Sequence, residues 1–204
     1  MKIFITGGAG CLGTSIIDKY LPLKHDLWVL DNFATGKMQN LQFYPNLKIT
    51  DGSVADQQLV EKIVSEFKPD VVINSAAAYK DPANWKQDAE TNIIGAINIA
   101  KACISNNINK LINFQTALCY GRPELVPIPV NSPTKPFTSY GISKTAGEQF
   151  LINSGLNVIS LRLANICGPR LAIGPIPTFY TRLKDGKNCF CRDRKSTRLN
   201  SSHR

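Results

Sequence analysis

Six short apolar, largely β-branched runs recur along the chain, and stretches whose apolar positions return every three or four residues separate most of them. Lys2–Thr6, Asp26–Leu30, Leu47–Thr50, Asp70–Asn74, Lys110–Phe114 and Asn157–Arg162 read as strands. Helices are expected over Thr14–Tyr20, from about Asp56 to Phe67, from about Asn84 to Asn106, and over the segment carrying Tyr140 and Lys144. Near-continuous apolar strands alternating with helices call for a parallel sheet covered on both faces. The expected fold is therefore α/β, a doubly wound parallel sheet of the Rossmann type. From Cys167-Gly168-Pro169-Arg170 onward the pattern turns irregular, with Pro169, Pro175 and Pro177 crowding it, and a smaller substrate-binding region is expected to begin there.

The first strand runs into Gly7-Gly8-Ala9-Gly10-Cys11-Leu12-Gly13 and then into the first helix. That spacing lets Gly7 make the tight turn, Gly10 bring backbone N–H groups close to a pyrophosphate, and Gly13 pack the new helix against the strand. Cys11 and Leu12 lie within the same cradle. The loop alone also fits a plain strand-to-helix turn. Asp31-Asn32 ends the second strand about 20 residues on, where a carboxylate holds the ribose diol of an adenosine and repels a 2′-phosphate, favouring NAD over NADP. Asp31 could also simply cap a turn. Ser53 and Val54 follow the third strand, and Ser75-Ala76-Ala77-Ala78 follow the fourth, where small side chains leave room for a cofactor.

The 204 residues are 43% apolar, enough for a substantial core, and no run approaches the roughly 18 apolar residues of a membrane span. The N-terminus enters a strand with no leader pattern, so the cytoplasm is the expected compartment. Six scattered cysteines in such a chain are expected as thiols; Cys189 and Cys191 would alternate across a strand, so no metal is expected. Asp193–His203, DRKSTRLNSSH, resembles the translation of a common high-throughput sequencing adapter, and residues 193–204 are read as foreign to the fold. Those twelve residues hold four basic side chains against one acidic, so the formal charge of +9 falls to +6 without them. The remainder is modest and dispersed, suiting an enzyme with anionic ligands better than a nucleic-acid or membrane binder.

Tyr140 and Lys144 stand one helical turn apart on one face, which places an ammonium beside a phenol and is expected to lower the phenol's pKa toward a working range for a general base. Alone, a Tyr-x-x-x-Lys pair is weak; in order behind a glycine loop and Asp31 it is strong. Together these residues resemble the extended short-chain dehydrogenase/reductases, and within them the NAD-dependent sugar-nucleotide epimerase/dehydratase family. The resemblance runs from Met1 to about Arg192. It rests on Thr6-Gly7-x-x-Gly10-x-x-Gly13, Leu30-Asp31-Asn32, Thr91-Asn92-Ile93-Ile94-Gly95, Gln115-Thr116-Ala117-Leu118-Cys119-Tyr120-Gly121, Ser139-Tyr140-Gly141-Ile142-Ser143-Lys144 and Arg162-Leu163-Ala164-Asn165.

The resemblance implies NAD as cofactor, a nucleotide-sugar as substrate, and Thr116, Tyr140 and Lys144 as the catalytic set. It implies that Asn92 is a structural or cofactor-contacting residue and that Asn165 helps hold the substrate pyrophosphate. Ser53 stands where many relatives have an Asp on adenine. Ala117 and Leu118 stand where 4,6-dehydratases have an Asp-Glu pair. The expected reaction is accordingly epimerisation at C4 of a UDP-sugar or UDP-uronate through a transient 4-keto sugar. A dehydratase or oxidoreductase on the same scaffold, or a non-catalytic dinucleotide-binding protein, is the alternative. Residues 1–165 are expected to form the NAD-binding domain and 166–192 an incomplete substrate-binding region. The resemblance further implies a homodimer through the helices around Asn84–Asn106 and Pro136–Ser154, and a longer active enzyme, so that the 204-residue chain alone is expected to be inactive.

Overall fold

The computed structural model describes residues 1–41 and 47–190. Cys191 and the adapter-like stretch 193–204 lie outside the described residues. Six parallel strands, β1 (Lys2–Thr6), β2 (Asp26–Asp31), β3 (Leu47–Asp51), β4 (Val71–Asn74), β5 (Lys110–Thr116) and β6 (Asn157–Leu163), form one sheet in the order β3-β2-β1-β4-β5-β6. The order reverses direction at β1, and ligands of such sheets bind beyond the strands' carboxyl ends at that reversal.

Helix α1 (Cys11–Tyr20) lies on one face, where Ile3, Ile5, Leu27, Val29 and Ile73 pack with Ile17. Helices α2 (Gln57–Phe67), α4 (Gly95–Ser105) and α5 (Ser139–Ile152) cover the other face, over Phe4, Leu30, Val72 and Leu111. Local chemistry sets where several helices start. Asp56 caps α2 by accepting from Leu59 N–H at 3.0 Å, and Thr138 caps α5 by accepting from Gly141 N–H at 3.0 Å. On the α1 side Ile159 and Leu161 of the edge strand β6 are exposed.

Several elements differ from the sequence expectation, and α1 begins at Cys11, three residues earlier than expected, so that Cys11, Leu12 and Gly13 lie in its first turn. The stretch from Asn84 to Asn106 is helical throughout, but α3 (Trp85–Asp88) passes through a π-helical stretch, Ala89–Ile94, before α4 begins. The wider π turn goes with Asn92 pointing inward, where its amide binds Ala78 and Ser143. The proline-crowded segment was expected to be irregular, yet α6 (Pro175–Lys184) forms there. Pro175 sits at the first helical position and Pro177 still within the first turn, where a missing N–H breaks no intrahelical bond. Cys189 follows α6, and residues 187–190 have no regular structure, so no strand forms there among the described residues.

A row of polar side chains crosses the face under α4 and α5. Thr6 Oγ1 donates to Asn74 Oδ1 at 3.0 Å, Asn74 Nδ2 to Asn113 Oδ1 at 3.0 Å, and Asn113 Nδ2 to Ser160 Oγ at 3.2 Å. These four residues are register partners on β1, β4, β5 and β6. Ser160 Oγ in turn donates to Glu148 of α5 at 2.5 Å.

Candidate active site

A cavity of about 770 Å³ lies across the carboxyl ends of the strands, from the end of β2 to the end of β6. Gly7, Gly10, Cys11 and Leu12 line it at the centre. Gly7 takes φ +67°, a conformation open to glycine and strained for other residues. A Cβ on Gly13 would sit 2.5 Å from Gly8 Cα, so the third glycine closes the loop against its own first turn rather than against the strand. Gly10 caps α1 without any side-chain hydrogen bond, leaving the helix's first N–H groups facing the cavity region. Ala76 N–H donates to Thr6 Oγ1 at 3.2 Å, which holds the β4 loop beside the glycine loop, and Ala76 and Ala77 form part of the wall.

On the β2–β3 side the wall includes Asp31, Asn32, Ser53 and Val54. Asp31 is buried and does more than wait for a ligand: its two carboxylate oxygens accept from Ala9 N–H and from Phe33 N–H, each at 2.8 Å. It thereby fastens the glycine loop to the end of β2, with lone pairs left for a diol. Ser53 accepts from Ala55 N–H at 3.1 Å, a local turn contact.

On the β5–β6 side Thr116, Tyr140 and Asn165 line the cavity together. Thr116 ends β5, Tyr140 stands in the first turn of α5, and Asn165 follows β6. Ala117 and Leu118 belong to the same wall and bring no acid or base to it. Gly13, Asn92 and Lys144 are not among the lining residues. Asn92 is buried, its Oδ1 accepting from Ala78 N–H at 3.0 Å while Nδ2 donates to Ala78 O at 3.1 Å and Ser143 Oγ at 3.0 Å, so it braces the cavity wall from behind.

The electrostatics correct one expectation. Tyr140 was expected to have a lowered pKa, but burial pushes its phenol up to about 12, with Tyr79 and Asp88 adding to the rise and the Thr116 hydroxyl pulling it back. Burial likewise depresses Lys144 to about 8, which the Glu148 carboxylate partly offsets. Desolvation of the phenol outweighs whatever the Lys144 ammonium contributes. Glu148 itself is held below the usual carboxylate range: burial raises it, but hydrogen bonds from Arg162, Ser160 and Gln115 win. Arg162 grips it through Nε at 3.2 Å and Nη2 at 3.1 Å.

The model of the NAD-dependent epimerase/dehydratase family matches residues 3–198. The chain belongs to that family. An epimerase relative, the UDP-glucose 4-epimerase of Corynebacterium glutamicum, is 30% identical over 184 residues, covering 85% of this chain and 54% of the relative. Among solved structures, Bordetella bronchiseptica WbmG in complex with NAD is 61% identical with a TM-score of 0.88, covering 94% of this chain and 62% of that one. WbmH of the same organism, in complex with NAD+, is 43% identical with a TM-score of 0.90, covering 93% and 64%. The chain spans about half the length of the curated relatives it matches. Its glycine turn, its uncapped helix start, the small residues after β4 and the carboxylate of Asp31 fit the dinucleotide that gives the epimerase/dehydratase family its description.

Sequence reasoning missed several residues of the site. Tyr79 lines the cavity with its ring centroid 6.2 Å from that of Tyr140, and Lys80 follows it on the wall. Gln115 was quoted only as a neighbour of Thr116, yet it lines the cavity and is buried. Its signal was available: a Gln at an inward position of a central strand, two residues after Asn113, is a polar group that must find partners.

Proposed function

We propose that this chain carries the NAD-binding and proton-transferring part of a nucleotide-sugar C4 epimerase acting on a UDP-sugar or UDP-uronate. The observation that supports it best is a single cavity reaching from Asp31 to Thr116 and Tyr140. WbmG has also been solved in complex with NAD and UDP, at 61% identity and a TM-score of 0.87, which supports a uridine nucleotide.

In this reading Asp31 accepts the adenosine ribose hydroxyls, and the glycine loop and start of α1 receive the pyrophosphate. When bound, NAD would supply a hydride acceptor and donor for the sugar carbon and a positive charge that would favour the phenolate form of Tyr140. Tyr140 Oη takes the proton of the sugar's C4 hydroxyl and returns it, while Thr116 Oγ1 orients the same oxygen. Lys144 binds the nicotinamide ribose in this reading and supplies positive charge one turn from the phenol. Asn165 stands where a substrate diphosphate would lie. Ala117 and Leu118 leave the wall without the acid and base that dehydration needs, which favours epimerisation over a dehydratase. Residues 166–190, including α6, begin the substrate-binding region, and the exposed apolar side chains of α4 and α5 support a dimer.

Incubating the longer enzyme, with its substrate-binding region complete, with NAD and UDP-glucose or UDP-glucuronate, and following the sugar's C4 proton by NMR, tests the reading. Tyr140→Phe should lower turnover by about 10²- to 10⁴-fold while NAD still binds. Accumulation of NADH without a C4 epimer, or a Tyr140→Phe variant near full rate, would overturn it.

A further inference from the structure

Gln115 connects the two segments that carry the site's reactive side chains. It lies on β5, directly before Thr116, and is buried at 3% exposure. Its Oε1 accepts from the backbone N–H of Thr116 at 2.8 Å, and its Nε2 donates to the backbone oxygen of Lys144 at 3.0 Å. The same side chain also reaches the Glu148 carboxylate. Glu148, 1% exposed, is itself fixed by Ser160 and by both Nε and Nη2 of Arg162, the register partner of Gln115 on β6. Both ends of the Gln115 amide are therefore engaged, and the carboxylate beside it cannot swing away.

We propose that Gln115 is a positioning residue that sets the distance between Thr116 and the Tyr140–Lys144 turn, with Glu148 and Arg162 as its anchor. No other side-chain hydrogen bond among the described residues joins Thr116's backbone or its immediate neighbour to the Tyr140–Lys144 turn. Thr116 sits at the last position of its strand, where ladder hydrogen bonds give out, and Tyr140 in the first turn of a helix, where intrahelical bonds are incomplete. Thr138 fixes the start of α5 and the Thr116 hydroxyl reaches the Tyr140 phenol, and the Gln115 amide adds the link between the two backbones. An amide suits the task because it donates to one backbone and accepts from the other; a carboxylate beside Glu148 would repel it, and an alkyl group would leave Thr116 N–H without its partner. The kinetic consequence rests on the epimerase reading, whereas the structural one does not.

The test compares wild type with Gln115→Leu and Gln115→Glu in the longer enzyme, with its substrate-binding region complete. Amide hydrogen exchange by NMR should show the Thr116 N–H exchanging at least about tenfold faster in Gln115→Leu, with the Leu111 and Ile112 amides unchanged, since only that donor loses its acceptor. Turnover should fall about 10- to 100-fold, as expected for a misplacement of the reacting groups, with KM and NAD affinity within about threefold. Gln115→Glu discriminates positioning from mere filling. Uncharged, it keeps an acceptor for Thr116 and an O–H donor for Lys144 O; ionised, it loses the donor and faces Glu148. Its activity relative to wild type should approach unity at acidic pH and decline as pH rises, while Thr116 N–H, whose carboxylate acceptor survives ionisation, stays protected. Should Gln115→Leu not fold, the Gln115→Glu pH series still decides. Unchanged Thr116 exchange in Gln115→Leu, a Gln115→Glu activity ratio that does not move with pH, or turnover loss matched by equal loss of NAD affinity, would overturn the inference. If wild type itself epimerises no nucleotide-sugar, the proposed function falls and the exchange measurements alone judge Gln115.

Discussion

Replacing Lys144 with methionine should make the protein more stable and less active at once. The ammonium is 4% exposed, and burial lowers its pKa from 10.5 to about 8 even with Glu148 one turn away. A depressed lysine pKa means that the folded state holds the proton less tightly than the unfolded chain. Below about pH 8 both states are protonated and the folded state bears the whole penalty, about 3 kcal/mol for a fall of this size. Between about 8 and 10.5 the unfolded chain binds more protons, so stability rises with pH, and above 10.5 the penalty is gone. Methionine keeps most of the volume and removes the charge, while Glu148 retains Arg162 as partner. Lys144→Met should therefore gain about 2–3 kcal/mol at pH 7, less whatever repacking removes. Urea unfolding of both proteins at several pH values from 7 to above 10 measures the difference, in which all other titrations cancel. A variant no more stable than wild type at pH 7, or a gain that stays constant with pH, would refute the assignment of the penalty to the buried charge.

Two further outcomes follow from other parts of the structure. Asp31→Ala should weaken NAD binding at least about tenfold, narrow the preference over NADP, and destabilise the protein by about 1–3 kcal/mol because Ala9 and Phe33 lose their acceptor; calorimetric titration with both dinucleotides checks this, and equal NAD and NADP affinity in wild type would contradict it. Ile94, Ile104, Ile142 and Phe150 are exposed on the helices expected to dimerise, so light scattering should find a dimer that Phe150→Asp converts to monomer, and a wild-type monomer at micromolar concentration would count against it.

The strand set was legible because the parallel strands carry an almost unbroken apolar signal, and their ends differ from the pattern by only one or two residues. The glycine loop and Asp31 were legible because their spacing is imposed by a ligand's shape. What escaped has a common origin in tertiary context. The π-helical stretch at Ala89–Ile94 depends on a buried amide finding Ala78 and Ser143, which no local pattern encodes. Helix α6 was hidden because prolines were counted as breakers without regard to their place in the first turn. The Tyr140–Lys144 spacing was right, but its electrostatic consequence was not: spacing shows that a cation is near, whereas the depth of burial decides which effect prevails. Gln115 was overlooked because Thr116, beside it, carried the resemblance.

The polar row from Thr6 through Asn74 and Asn113 to Ser160 bears on how the sheet assembles. Val, Ile and Leu side chains on neighbouring parallel strands are nearly interchangeable, so hydrophobic burial alone distinguishes poorly between one alignment and another two residues away. A one-residue slip would turn each polar side chain to the opposite face, and a two-residue slip toward the strand starts would set Asn74 against Leu111 and Asn113 against Val158. In these alignments a buried amide or hydroxyl would lie unpaired, at about 1–3 kcal/mol for each group. The penalty falls on these wrong alignments and not on the native one. Four small polar side chains thus act as a proofreading mark for strand assembly, placed at the height where an error of register would also pull apart the rim of the cavity.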